Sequence, residues 1–161
     1  NPEYLRGSIL SLRAAVKAGR LDDGGIWMDA DVLYPAELLR RLVASLNDRE
    51  LSVKGRRILV LGLAYKKNTG DDRESPSTRV VELLSELQAD LAVCDPHVDP
   101  SRSHAAGGAE HVKLTEAEVA KADAVVVLVD HDAFDLDMVS RTASYVLDTR
   151  RCVTGPVVEH L

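Results

Sequence analysis

Lys66 and Lys67 come almost directly after the apolar run Arg57–Leu63, with only Ala64 and Tyr65 between. A compact β-branched run without alternation reads as a strand buried on both faces. Its carboxyl end is where open α/β sheets take their ligands, so at least one ammonium can point over the sheet edge at a phosphate. Asn68 and Thr69 add hydrogen-bond donors, and Gly70 relaxes the turn. Ser75 and Pro76 then fit the cap and first position of a helix, whose open N–H groups suit an anion. Asp71, Asp72, Arg73 and Glu74 are too dense to be a phosphate cradle alone, so some of them pair with one another or with a neighbouring domain. Ala64–Pro76 therefore fits an anion or nucleotide site, with a solvated charged turn and a protein-docking loop as the alternatives.

Three further strand ends carry polar residues: Asp95-Pro96-His97, Asp130-His131-Asp132 and Asp148-Thr149-Arg150-Arg151. Their gathering on one rim supports a site more strongly than any single motif. Arg150 and Arg151 offer a guanidinium fork for phosphate or carboxylate, solvated arginines being the alternative. His97 and His131 lack the spacing of a metal pair and read as structural or solvent-facing. An Asp-His pair also suggests a general base, yet no nucleophile elbow is near. Cys94 and Cys152 have no metal spacing and read as core or strand-edge thiols. Gly62-Leu63-Ala64-Tyr65 is not a Gly-x-Gly-x-x-Gly turn, and no phosphate-binding Gly-x-x-x-x-Gly-Lys-Ser/Thr loop occurs.

The elements that must hold this rim follow from periodicity. Tyr4–Ala18 has helical spacing, a Gly/Asp-rich break follows at Asp22–Gly25, and Pro35 opens a second helix with Leu38, Leu39, Leu42, Val43 and Leu46 as its stripe. After Lys54-Gly55 the pattern alternates: strand Arg57–Leu63, helix Ser77–Leu87, strand Asp90–Cys94 ended by Pro96, and a Ser/His/Pro/Gly-rich loop from Val98 to Ala109. A capping box at Thr115–Glu118, a strand at Ala124–Val129, a short helix within His131–Thr142 and a strand at Tyr145–Asp148 complete it. Such alternation implies right-handed crossovers and a mainly parallel sheet. The expected fold is an α/β, Rossmann-like three-layer sandwich preceded by a helical segment. Residues 1–53 form the lead-in, a linker or dimerisation segment, and 54–161 form the sheet domain.

Of 161 residues, 45% are apolar and 29% charged, an ordinary globular composition. A formal charge of −6 and an aromatic content of 4% argue against nucleic acid and anionic membranes as partners. Asn1–Leu10 lacks the features of a signal peptide, so a cytoplasmic location is expected, and an opening on Asn1 reads as a fragment or a processed product.

The stretch Ile58–Pro76, with Gly62, Ala64, Tyr65, Lys66, Thr69, Asp71, Arg73, Glu74, Ser75 and Pro76 in order, strongly resembles the C-terminal domain of the UDP-glucose/GDP-mannose dehydrogenase family. Val93–Val98 and Asp148–Arg151 agree in order and spacing, and the likeness covers Lys54–Arg151. The resemblance implies part of an NAD-dependent enzyme that oxidises the sugar C6 alcohol of a nucleotide sugar to a carboxylate. It also implies that NAD and the catalytic cysteine belong to a fused or associated domain, leaving no cofactor and no activity in the isolated chain. Carried over, Lys66 contacts the nucleotide-sugar substrate, Tyr65 lines the same pocket, and Arg150 approaches it, within the chain or across a homodimer interface. Thr69, Asp72, Arg73, Glu74 and Ser75 become loop scaffold. The alternative is a non-enzymatic nucleotide-binding or protein-interaction domain derived from that family.

Overall fold

Ile58 and Val60 face one side of the first strand and Leu59 and Leu61 the other, and all four are buried. Both faces of the sheet are therefore covered, as the unbroken apolar run requires. The computed structural model describes residues 30–101, 103 and 108–161. The Tyr4–Ala18 helix, the break at 22–25 and much of the loop after Val98 lie outside the described residues.

Strand β1 (Arg57–Leu61) pairs in parallel with β2 (Asp90–Cys94) on one side and β4 (Ala124–Val127) on the other. Strand β3 (Glu110–His111) extends the sheet beyond β2, while β5 (Val146–Asp148) and β6 (Val158–His160) extend it beyond β4. The order β3-β2-β1-β4-β5-β6 is wholly parallel. It is the order of the doubly wound dinucleotide-binding sheet, as expected for the fold. Two strands, β3 and β6, exceed the four expected, because segments of two and three residues with a charged member carry no apolar run.

Helices α1 (Ala30–Asn47) and α2 (Pro76–Glu86) cover one face, joining Leu38, Leu42, Leu46, Val80, Val81 and Leu84 to Ile58, Val60, Val93 and Val126. Burying a leucine fully stabilises a fold by roughly 1.5–3 kcal/mol, and the three in α1 are wholly inaccessible. Helices α3 (Glu116–Lys121) and α4 (Leu136–Thr142) cover the other face through Val119 and Val139, against Leu59, Leu61, Val125 and Val127. Polar bonds reinforce α1: Arg41 and Ser45 both bond Glu159 of β6, and Tyr145 donates to the same carboxylate.

Three local readings change. Pro35 lies inside α1 rather than at its start, since the helix already begins at Ala30. Thr115 caps α3 by accepting from the Glu118 amide, but the Glu118 carboxylate turns to Lys121 and Arg57, so only half of a capping box forms. Strand β1 ends at Leu61 because Gly62 adopts φ +89°, and a Cβ there would stand 2.5 Å from that of Val129. Only glycine lets the exits of β1 and β4 pass so closely.

Candidate functional site

The strand order reverses between β1 and β4, and a cleft of about 480 Å³ opens at their carboxyl ends. Tyr65, Lys66 and Arg150 line it together, although Arg150 arrives from the loop after β5. Ser75, Pro76 and Ser77 bring the first turn of α2 to the same cleft, and Tyr34 reaches it from α1. A helix N-terminus facing two cationic side chains is an anion-binding arrangement.

The cations of the rim are not equivalent. Lys67 is bound to Asp132 at 2.6 Å and lies 3.5 Å from Asp130. The Asp132 hydrogen bond, against the cost of desolvation, holds the Lys67 ammonium more firmly charged than usual. Arg150 shares Asp130, at 3.3 Å from Nε. Lys66 forms no ion pair with any described residue; its ammonium stands 5.8 Å from the Tyr65 ring centre, at the outer reach of a cation–π contact. Of the three cations that line the cleft, Lys66 is thus the one without a carboxylate partner among the described residues.

Two buried aspartates organise the loops. Asp95, at the end of β2, has a side chain only 1% exposed. It accepts from the amides of Leu63 and Ala64, from those of His97 and Val98, and from Nε2 of His131 at 2.9 Å. Burial alone would raise its pKa, but the His131 bond and the amides outweigh it and hold the carboxyl far below the ordinary range. Asp148, at the end of β5, is fully buried and accepts from the amides of Arg150, Cys152 and Val153 at 2.7 Å each. It thereby shapes the turn carrying Arg150, in which Arg151 adopts φ +56°.

The residues expected as scaffold divide. Thr69 donates to the Lys66 carbonyl at 2.8 Å and closes the turn beneath it. Asp72 is buried and accepts from the Ser103 hydroxyl at 2.9 Å, while its carbonyl takes the Ser75 amide. Ser75 caps α2 by accepting from the Ser77 amide. Arg73 instead forms a two-pronged pair with Asp71 and faces solvent, and Glu74 is exposed at φ +55°. Gly70 is needed for space rather than freedom: its φ is ordinary, but a Cβ would fall 2.4 Å from the His97 carbonyl oxygen. Tyr34 and Ser77 join the cleft without a motif to flag them, while Asn68, Asp95, His131 and Asp148, visible in sequence only as polar residues past strand ends, support it.

A neighbouring cavity of about 340 Å³ shares Lys67 but is lined by Asp130, Asp132, Asp135 and Asp137. That density of carboxylates opposes a phosphate, so the first cleft suits an anion better than its neighbour does. The described residues do not fit the pyrophosphate of a dinucleotide in the usual turn after β1, because the Leu63 and Ala64 amides already hold Asp95. Neither thiol is poised as a nucleophile. Burial pushes Cys94 up to about 11, and burial with the adjacent Asp148 carboxylate pushes Cys152 up to about 12. Among the described residues no cluster of His, Cys, Asp and Glu suits a metal, and no helix is long and apolar enough to cross a membrane.

Residues 59–155 match the model of the UDP-glucose/GDP-mannose dehydrogenase family, UDP binding domain. The chain belongs to this family. It is 36% identical over 101 residues to UDP-N-acetyl-D-mannosamine dehydrogenase of Methanococcus maripaludis, covering 62% of this chain and 21% of that protein. It is 39% identical over 80 residues to UDP-glucose 6-dehydrogenase TuaD of Bacillus subtilis, covering 49% and 17%. The structure of NDP-N-acetyl-D-galactosaminuronic acid dehydrogenase from Methanosarcina mazei superposes with a TM-score of 0.64 at 25% identity, covering 79% of this chain and 28% of that one. The chain thus spans about a fifth of the length of these curated relatives. Within the family it corresponds to the UDP binding domain, and the switch-point cleft lies inside the matched range save for Tyr34.

Proposed function

We propose that this chain is the substrate-binding part of an NAD-dependent nucleotide-sugar 6-dehydrogenase, and that its cleft holds the diphosphate of a nucleotide sugar. The observation that carries this is the meeting of Lys66 and Arg150 with the first turn of α2 in one cleft. A diphosphate brings negative charge and acceptor oxygens. Lys66 supplies a point charge, Arg150 a planar donor fork, and the helix end a favourable dipole. Tyr65, 57% exposed, offers an aromatic wall beside them. Thr69, Asp72 and Ser75 keep the loop in shape, while Arg73 and Glu74 act outside the cleft.

In this reading NAD and the nucleophile that together take the C6 alcohol to a carboxylate reside on a fused or associated domain, in a cytoplasmic enzyme. This chain's residues bind and orient the substrate, and the isolated chain oxidises nothing. The names of the related dehydrogenases, with their UDP and NDP sugars, support the substrate class.

Titration calorimetry with UDP-glucose tests the reading. Lys66→Glu reverses the one cleft-lining cation that has no carboxylate partner among the described residues, so affinity should fall at least tenfold while the thermal midpoint holds. Equal affinity in the variant and the parent chain would remove Lys66 from the site.

A further inference from the structure

The segment carrying Lys66 is fastened on both sides by one buried pair. On its amino side, the Leu63 and Ala64 amides donate to Asp95 Oδ2 at 2.8 and 3.0 Å. On its carboxyl side, the Asn68 amide donates to Nδ1 of His131 at 2.9 Å. The circuit closes where His131 Nε2 meets the same Asp95 Oδ2. An amide N–H can only donate, so Nδ1 must be the acceptor and the ring proton must sit on Nε2, aimed at the carboxylate. His131 is therefore neutral, in a single tautomer, with both ring nitrogens engaged and a wholly buried side chain.

Asn68 suits this turn. It adopts φ +58°, the left-handed region that asparagine enters more readily than most residues with a Cβ. Its side chain strengthens the attachment, donating to Asp132 Oδ2 at 2.7 Å and accepting from the Asp132 amide at 3.0 Å. The loop after β1 is thus stitched across the switch-point crevice to the loop after β4. Lys66 has no salt bridge of its own to fix it, so the place of its ammonium depends on this backbone.

We propose that His131 is a positioning residue for nucleotide-sugar binding: through Nδ1 it anchors Asn68 and so sets where Lys66 stands in the cleft. The proposal rests on the function given above for that cleft. His131 touches no ligand in this role. Its other contacts, the rings of His97 and Phe134 at 4.9 and 5.3 Å between centroids, wedge the imidazole in one orientation.

Two substitutions split the two bonds. Asparagine at 131 places an amide oxygen near the position of Nδ1 and cannot reach Asp95. Glutamine places an amide nitrogen near the position of Nε2 and leaves Asn68 without its acceptor. With the full chain and UDP-glucose, His131→Gln should bind roughly three- to tenfold more weakly, the factor carried by a neutral hydrogen bond, with little change in thermal midpoint. His131→Asn should show the reverse: a lower midpoint, because buried Asp95 loses a donor, and near-parent affinity. A general packing role would lower binding and midpoint together in both variants, and that result would overturn the proposal. Lys66→Ala separates the two claims. If it weakens binding and His131→Gln does not, the positioning role falls and the binding site stands. If Lys66→Ala binds as the parent does, the binding reading falls, and amide exchange judges the anchor by itself. The Asn68 amide should exchange at least tenfold faster in His131→Gln than in His131→Asn, and equal rates would refute the anchor.

Discussion

The Tyr34 hydroxyl donates to Thr149 Oγ1 at 2.6 Å, joining α1 to the loop after β5. Thr149 passes the bond on to the Val127 carbonyl at 2.7 Å, so the tie ends on β4. Burial pushes the Tyr34 phenol above its ordinary value, while Thr149 and the charge of Arg150 act against that rise. The group is thus a neutral donor throughout the working range of pH. Tyr34→Phe should keep the fold and lower its stability by about 0.5–1.5 kcal/mol in urea denaturation. UDP-glucose binding should weaken with it, because Arg150 follows Thr149 directly. A midpoint equal to the parent's would show that the bond stabilises nothing.

Asp148 shapes the Arg150 turn through backbone amides, and the amide of asparagine has one acceptor oxygen where the carboxylate has two. Asp148→Asn should therefore destabilise the fold by about 1.5–3 kcal/mol, the range for hydrogen bonds to a charged group. The loss should be local first: in amide exchange, Arg150, Cys152 and Val153 should lose protection before the strands do. Uniform loss over the sheet would argue against a role confined to the turn.

Asp95 makes acid stability testable. Its native carboxyl is held below the unfolded value of 3.8, so the folded state binds the proton less readily than the unfolded chain. The contribution is complete above that value and drains away as pH falls through it toward the native one. Asp95→Asn should be less stable than the parent near neutrality, and the gap should hold down to about pH 5 and narrow as the pH falls further. A gap of constant size in pH-dependent urea melts would mean that the carboxylate charge is not what stabilises.

The two thiols should be quiet. With Cys94 raised to about 11 and Cys152 to about 12, almost no thiolate exists at pH 8 in the folded chain. Iodoacetamide should label both slowly until denaturant is added, followed by intact mass. Rapid labelling of native Cys152, the more accessible of the two, would contradict the influence of Asp148.

Long elements and the rim were legible because their signals are local. The unbroken run Arg57–Leu63 reads as a strand covered on both faces, and Ser75-Pro76 reads as a helix start. Residue type and spacing alone could not separate Lys66 from Lys67, and only the family resemblance singled out Lys66; the physical difference lies in Asp130 and Asp132, brought close by the parallel pairing of β1 with β4. Tyr34 was invisible as a cleft residue because its partner lies 115 positions away and no spacing encodes that contact. Asp95 was visible as a residue that ends a strand beside Pro96, but not as a clamp, because three of its five donors come from the exits of two other strands. A polar residue just past a buried strand at the ligand edge was the signal available, and it marked Asp95, His131 and Asp148 alike without ranking them.

Both outermost strands of the sheet are short, β3 with two residues and β6 with three. Short borders present few open peptide groups on which another chain could grow a strand. A partner domain or second subunit would therefore dock through helix faces or the loop rim rather than by lengthening the sheet. The same borders guard the protein against edge-to-edge polymerisation during synthesis, while its longer and stickier strands are sealed inside.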